Sequence, residues 1–115
     1  MQTNFESAHD LDTIGNVLNQ IEAAIKNKSP IIVLEYDKCG KTLNCIVEAL
    51  QHYNRAYWYS KNEDCGAYQI QRCLSANHIK TNNIVLCGVN TDYCVKQTAL
   101  GLVFRNYDVR VVYDA

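Results

Sequence analysis

The chain has 115 residues, 48% apolar and 20% charged, with a net charge of −1. That is the make-up of one globular domain with one core, and it is too short for two. The near-neutral balance gives no basic face for nucleic acid or anionic lipid, and no apolar run approaches membrane-spanning length.

Residues 1 to 11 are polar and irregular. The opening Met1-Gln2-Thr3-Asn4-Phe5-Glu6 lacks the basic start and apolar stretch of a signal peptide, so a cytoplasmic location is expected. Ile14, Val17, Leu18, Ile21, Ala24 and Ile25 recur with helical period, and Asp12 or Thr13 can cap that helix. Asn27-Lys28-Ser29-Pro30 ends it. Ile31 to Tyr36 is almost continuously apolar, as in a strand buried on both faces. Asp37 to Lys41 is a loop. A second helix starts at Thr42 and runs through Ile46, Val47 and Leu50 towards Tyr53. Ala56-Tyr57-Trp58-Tyr59 is a second strand, and Lys61 to Gly66 a loop. Helix three covers roughly Ala67 to Asn77, strand three Ile84 to Gly88, helix four about Asp92 to Arg105, and strand four Val109 to Tyr113.

This alternation, with short connections and no repeat, predicts a three-layer, Rossmann-like α/β fold: a parallel sheet with helices on both faces. Function in such sheets sits at the carboxyl ends of the strands. The loops after Tyr36, Ser60 and Gly88 are those ends, and they carry Asp37, Lys61 and Cys94. The richest stretch is Ile84-Val85-Leu86-Cys87-Gly88-Val89-Asn90-Thr91-Asp92-Tyr93-Cys94-Val95. An apolar run stops at Gly88, a polar turn follows, and Cys94 falls in the first turn of a helix. Free N–H groups and the positive helix end favour a thiolate there, which makes Cys94 the candidate nucleophile. The rival reading is a buried structural thiol. Thr91 suits the N-cap of this helix, and Asp92 its first turn. Cys87 is expected in core packing at the strand end.

The six cysteines form no C-x-x-C pair and no zinc-finger spacing, and without a secretory signal free thiols are the expectation. His9, His52 and His78 are scattered. Gly40-Lys41-Thr42 lacks the upstream glycine of a phosphate-binding loop. Tyr57, Trp58 and Tyr59 suit either an oligomer interface or helix packing with polar tips in water, and the second is preferred.

Cys87-Gly88-Val89-Asn90-Thr91-Asp92-Tyr93-Cys94-Val95, then Thr98-Ala99 and Tyr107 to Ala115, closely resemble the isochorismatase-like cysteine hydrolases. That superfamily includes isochorismatases, nicotinamidases and N-carbamoylsarcosine amidases. The resemblance implies a Cys–Asp–Lys triad with its cysteine at Cys94 and its lysine at Lys61. It implies an oxyanion hole from the backbone N–H groups of Asn90 and Cys94, and a cis peptide at Val89-Asn90. It implies no cofactor. Metal-binding relatives carry Asp-x-His in the region of Glu35 to Thr42, where this chain has no His, so no metal is expected.

The family's aspartate ends a central first strand, and Met1 to Phe5 looks like the segment just after it. The domain, residues 1–115, is therefore expected to lack that strand and a C-terminal helix, and to be truncated at both ends. Such a gap leaves two facing rows of unpaired backbone groups. A longer gene product, direct pairing of the remaining strands, or a strand from a second copy would each resolve it, and the first is preferred. Asp37 is the substitute acid by position. The expected function is cysteine-dependent hydrolysis of a small amide, carbamoyl or related substrate, with homo-oligomers the common assembly. The alternative is a relative that serves as a non-enzymatic interaction module.

Overall fold

The computed structural model describes all 115 residues. A short 3-10 turn, Glu6–His9, leads into α1, Leu11–Lys26. Asp10 caps α1, two residues ahead of Asp12 and three ahead of Thr13, the caps that the sequence suggests. Its carboxylate accepts from the Thr13 N–H at 2.8 Å and from the Thr13 hydroxyl at 2.5 Å. The cap thus satisfies an amide that the first turn cannot bond internally. The apolar period of α1 buries Val17 and Ile21, with Ile14, Leu18 and Ile25 packed beside them.

The other elements follow as β1 Ile31–Tyr36, α2 Asn44–Leu50, β2 Ala56–Lys61, α3 Ala67–Ala76, β3 Asn83–Leu86, α4 Lys96–Phe104 and β4 Asp108–Val111. The second helix is shorter than its pattern implied, and the third and fourth strands end earlier. The second strand runs two residues further, which brings Lys61 onto it.

Strands β1 and β2 pair in parallel from Ile31↔Ala56 to Tyr36↔Lys61. Strands β3 and β4 pair in parallel from Asn83↔Asp108 to Leu86↔Val111. They form two separate two-stranded sheets, so direct pairing of β1 with β3 does not close the gap. All six residues of β1 are half-buried rather than enclosed on both faces, because one of its edges has no strand beside it. Ile31 and Asp37 donate their N–H groups to β2-side carbonyls of Arg55 and Lys61, so the ladder directs the N–H groups of Ile32, Leu34 and Tyr36 the other way. The Gln2 side chain meets the last of these. Its Oε1 accepts from the Tyr36 N–H at 2.6 Å and its Nε2 donates to the Tyr36 carbonyl at 2.9 Å.

Alternation along β1 gives it two cores. Ile31 and Val33 pack on one face with Val17 and Ile21 of α1 and Ile46 and Leu50 of α2. Ile32 and Leu34 pack on the other with Ala67, Ile70 and Leu74 of α3 and Leu102 of α4. Helices therefore cover both faces, as the α/β alternation predicts. Leu50 and Leu102 are almost wholly enclosed. Cutting either to Ala costs about 2–5 kcal/mol through lost transfer energy and the cavity left behind. No helix is long and apolar enough to cross a membrane. Trp58 keeps 41% of its surface exposed on the outer strand, and Leu100, Val103 and Phe104 of α4 also face outwards.

The Thr13 bonds hold the Asp10 carboxyl below the usual carboxylate range. A depressed folded value gives stability that is present at neutral pH and lost as pH falls through that value. Asp10→Ala is expected to lower the denaturant midpoint at pH 7. The gap from the parent chain should shrink on acidification, which chemical denaturation at pH 7 and pH 3 will read.

Candidate active site

Strand β3 hands the chain to a turn built around Asn90, whose φ of 62° and ψ of 54° are left-handed. Asparagine tolerates that region better than most residues with a side chain. Every peptide bond is trans, the one joining Val89 and Asn90 included, where the resemblance implied a cis bond. Thr91–Val95 then forms a single wide π-type turn before α4. Asn90 occupies the N-cap position in place of Thr91, without a side-chain cap bond. Its carbonyl accepts from the N–H groups of Tyr93 at 3.0 Å and Val95 at 3.4 Å, so this ladder skips Cys94. The Asn90 N–H has no backbone acceptor.

Both Asn90 and Cys94 line a cavity of about 100 Å³ between the two sheets. Its other walls include Leu34 and Tyr36 of β1, Lys61 of β2, Leu86 of β3, and Met1 and Gln2. The carboxyl ends of three strands thus converge on it, as parallel topology dictates. The sulfur of Cys94 is not walled off: the residue is half-buried. Lys61 is only 6% exposed. Its ammonium donates to the carbonyls of Glu63 at 2.9 Å and Asp64 at 2.8 Å. It also stands 4.6 Å from the centre of the Tyr36 ring, a cation–π distance. Desolvation pushes the Tyr36 phenol up, and the neighbouring Asp64 and Cys94 push it the same way.

The acidic neighbour of Cys94 is Asp64. The Cys94 thiol donates to Asp64 Oδ1 across 3.7 Å. Asp37 is exposed and takes no part in the cavity wall, although its backbone N–H reaches the Lys61 carbonyl at 2.8 Å. A strand-end residue is positioned by the sheet only through its backbone, and here the side chain leaves the site. Asp64 lies three residues beyond Lys61 on the same strand-end loop. Sequence reasoning placed that loop at the site but had no period with which to aim an irregular side chain. Cys87 also differs from expectation. It is exposed at the cavity wall rather than packed in the core. Desolvation of its sulfur nevertheless pushes its thiol up, partly offset by the Met1 ammonium.

Segment 62–66 is held against α4 by Thr98, one helical turn after Cys94. The buried Gly66 N–H donates to Thr98 Oγ1 at 2.8 Å, and that hydroxyl reaches the Asp64 carbonyl at 3.4 Å. The approach is close enough that a side chain at either of two glycines would push its neighbours aside. A Cβ on Gly66 would run into Leu34 Cδ1, and one on Gly101 would sit 2.6 Å from Cys65 Sγ. No three His, Cys, Asp or Glu side chains gather in a metal-ligating group.

The family model for the isochorismatase domain matches residues 1–115. The chain belongs to the isochorismatase family. It is similar to isochorismatase family protein 2A of Dictyostelium discoideum, at 30% identity over 112 residues, covering 90% of this chain and 55% of that one. Among solved structures it resembles the MAR1 ribonuclease of Caenorhabditis elegans, with a TM-score of 0.85 and 26% identity over 99% of this chain and 59% of that one. It also shares the fold of N-carbamoylsarcosine amidase from Thermoplasma acidophilum, with a TM-score of 0.75 and 23% identity, over 91% of this chain and 69% of that one. The chain spans about half the length of the Dictyostelium isochorismatase relative.

Thr98→Val keeps the shape of the residue and removes its hydroxyl. It leaves the buried Gly66 N–H without an acceptor, a cost of about 1–3 kcal/mol. Equilibrium denaturation should show a loss of that size, and amide exchange at Gly66 should accelerate.

Proposed function

We propose that this isochorismatase-family chain carries the nucleophilic centre of a cysteine hydrolase for small amide, carbamoyl or related carbonyl compounds. One observation carries the reading. Cys94, the unpartnered Asn90 N–H and the enclosed Lys61 ammonium share the wall of one small cavity.

In this scheme the Cys94 sulfur attacks the carbonyl carbon. The carbonyl oxygen gains negative charge, and the Asn90 and Cys94 N–H groups receive it. Such fixed donors cost no reorganisation and are often the largest single contribution to acyl transfer. Lys61 adds positive charge to the same cavity wall. A volume of about 100 Å³ is well below that of drug-sized ligand pockets, which supports a reacting group of few heavy atoms. The Caenorhabditis relative is named a ribonuclease. A net charge of −1 offers little of the positive field that a phosphate chain seeks, so a small uncharged carbonyl substrate is the better fit. We place the activity in a reducing compartment such as the cytoplasm, in keeping with six free thiols. The alternative, an interaction module without turnover, predicts an unreactive Cys94.

The test is labelling. A thiol pushed up holds less thiolate at neutral pH, so Cys87 should react slowly. Iodoacetamide at pH 7, followed by peptide mass spectrometry, is expected to modify Cys94 faster than Cys87. p-Nitrophenyl acetate should acetylate Cys94, and Cys94→Ala should abolish that adduct. Equal or reversed alkylation rates, with no acetyl adduct, would favour the interaction module.

A further inference from the structure

We propose that the outer face of α4 is a self-association surface, on which two copies of this chain pair about a two-fold axis with their α4 helices antiparallel.

The other long helices separate apolar from polar residues. Exposed positions of α1 are mostly polar, Asp12, Asn19, Glu22 and Lys26 among them, and those of α3 include Gln71, Arg72 and Ser75. Helix α4 does not. Its inner side buries Thr98 and Leu102. Its outer side carries Leu100, 55% exposed, Val103, 56% exposed, and Phe104, 89% exposed. Tyr93, 66% exposed, lies seven residues before Leu100 and continues the stripe into the π-type turn. A helix with apolar residues on every side is ordinarily enclosed. Here one side has no cover.

Two features select a second copy as the cover. The first is area. A buried aromatic side chain removes roughly 150–250 Å² from water, so Tyr93 and Phe104 at these exposures offer about 300 Å² together. Leu100 and Val103 bring the stripe to about 500 Å² per copy. Two copies face to face thus remove about 1,000 Å² before any rim contact, which reaches the range of a specific interface.

The second is that the run from Asp92 to Arg105 complements itself when reversed. A two-fold axis level with Thr98 and Ala99 sets Asp92 opposite the partner's Arg105, Tyr93 opposite the partner's Phe104, and Gln97 opposite the partner's Leu100. Each pairing occurs twice, because a two-fold interface repeats every contact. A parallel arrangement would set like charges against each other at both ends. Asp92 and Arg105 are both exposed. Arg105 donates one N–H to the Gly101 carbonyl, at 2.9 Å, and keeps its other donors. Lys96, between Tyr93 and Leu100, can lay its stem along the stripe and hold its ammonium in water. With a net charge of −1 per copy, little long-range repulsion opposes the approach.

Sedimentation equilibrium from about 5 to 500 μM reads the association. The weight-average mass should climb from 13.1 kDa towards twice that value. A dimer stabilises only the folded chain, so the denaturant midpoint should rise over the same range. Phe104→Asp and Leu100→Lys should each weaken dimerisation by about tenfold or more, since every change counts twice across the axis. Both side chains stand largely in water in the single chain, so at the lowest concentration each variant should keep a midpoint near that of the parent. Asp92→Arg alone and Arg105→Asp alone should each weaken pairing several-fold by setting like charges together. The double variant Asp92→Arg with Arg105→Asp should recover most of that loss.

A mass that stays at 13.1 kDa throughout overturns the proposal and leaves the stripe to a different protein or to a further segment of chain. Association that Phe104→Asp and Leu100→Lys leave intact overturns it as well, because another surface is then at work. A double charge variant that pairs no better than either single one rules out the antiparallel two-fold arrangement, and the proposal with it.

Discussion

Lys61 reaches the interior as a charged side chain with almost no contact with water, and main-chain carbonyls of its own loop receive its protons. Enclosing an ammonium is costly unless its donors are satisfied. Here that requirement bends residues 62–64 back over the side chain. The bent loop then offers its Gly66 amide to Thr98, which anchors it to the helix bearing the nucleophile. The same loop meets Leu34 so closely that a side chain at position 66 would force the Leu34 methyl to move. The contact between the Cys94 thiol and Asp64 at the rim depends on how that single cation is satisfied.

Strand β1 plays the comparable part for the scaffold. Its successive residues supply two cores in turn, so α1 and α2 on one side and α3 and α4 on the other are tied through six residues. Sharing of this kind explains how two short sheets and a modest number of enclosed side chains make one body. It also explains why the cavity lies where it does. With no strand between β1 and β3, the space between their carboxyl ends is left to side chains from the loops and from the N-terminal residues.

Much of this was legible in the sequence because periodic patterns report backbone geometry. The helical spacing of Ile14, Val17 and Ile21 and the apolar run 31–36 gave element type and face. The Cys87–Val95 motif gave the family, and strand order put Lys61 and Cys94 at the same end of the fold. What escaped was local and irregular. Asp10 capped α1 because the 3-10 turn before it set the chain direction, which composition does not encode. Asn90 displaced Thr91 at the head of the turn because a left-handed backbone was required there. Asp64 escaped because a loop side chain is aimed by the hydrogen bonds of its neighbours, here those of Lys61 and Thr98. Asp37 was suggested by position alone, and position fixes a backbone atom without fixing a carboxylate.

The cavity is bounded by Tyr36 and Lys61 from one half-sheet and by Leu86 and Cys94 from the other half. The cavity thus lies where the two strand pairs meet. Shear of one strand pair against the other changes the width of the cavity, while each ladder and the Thr98 bonds to the 64–66 segment stay intact. Hydrostatic compression, which acts first on internal free volume, will therefore be felt at this joint before it is felt in either pair of strands.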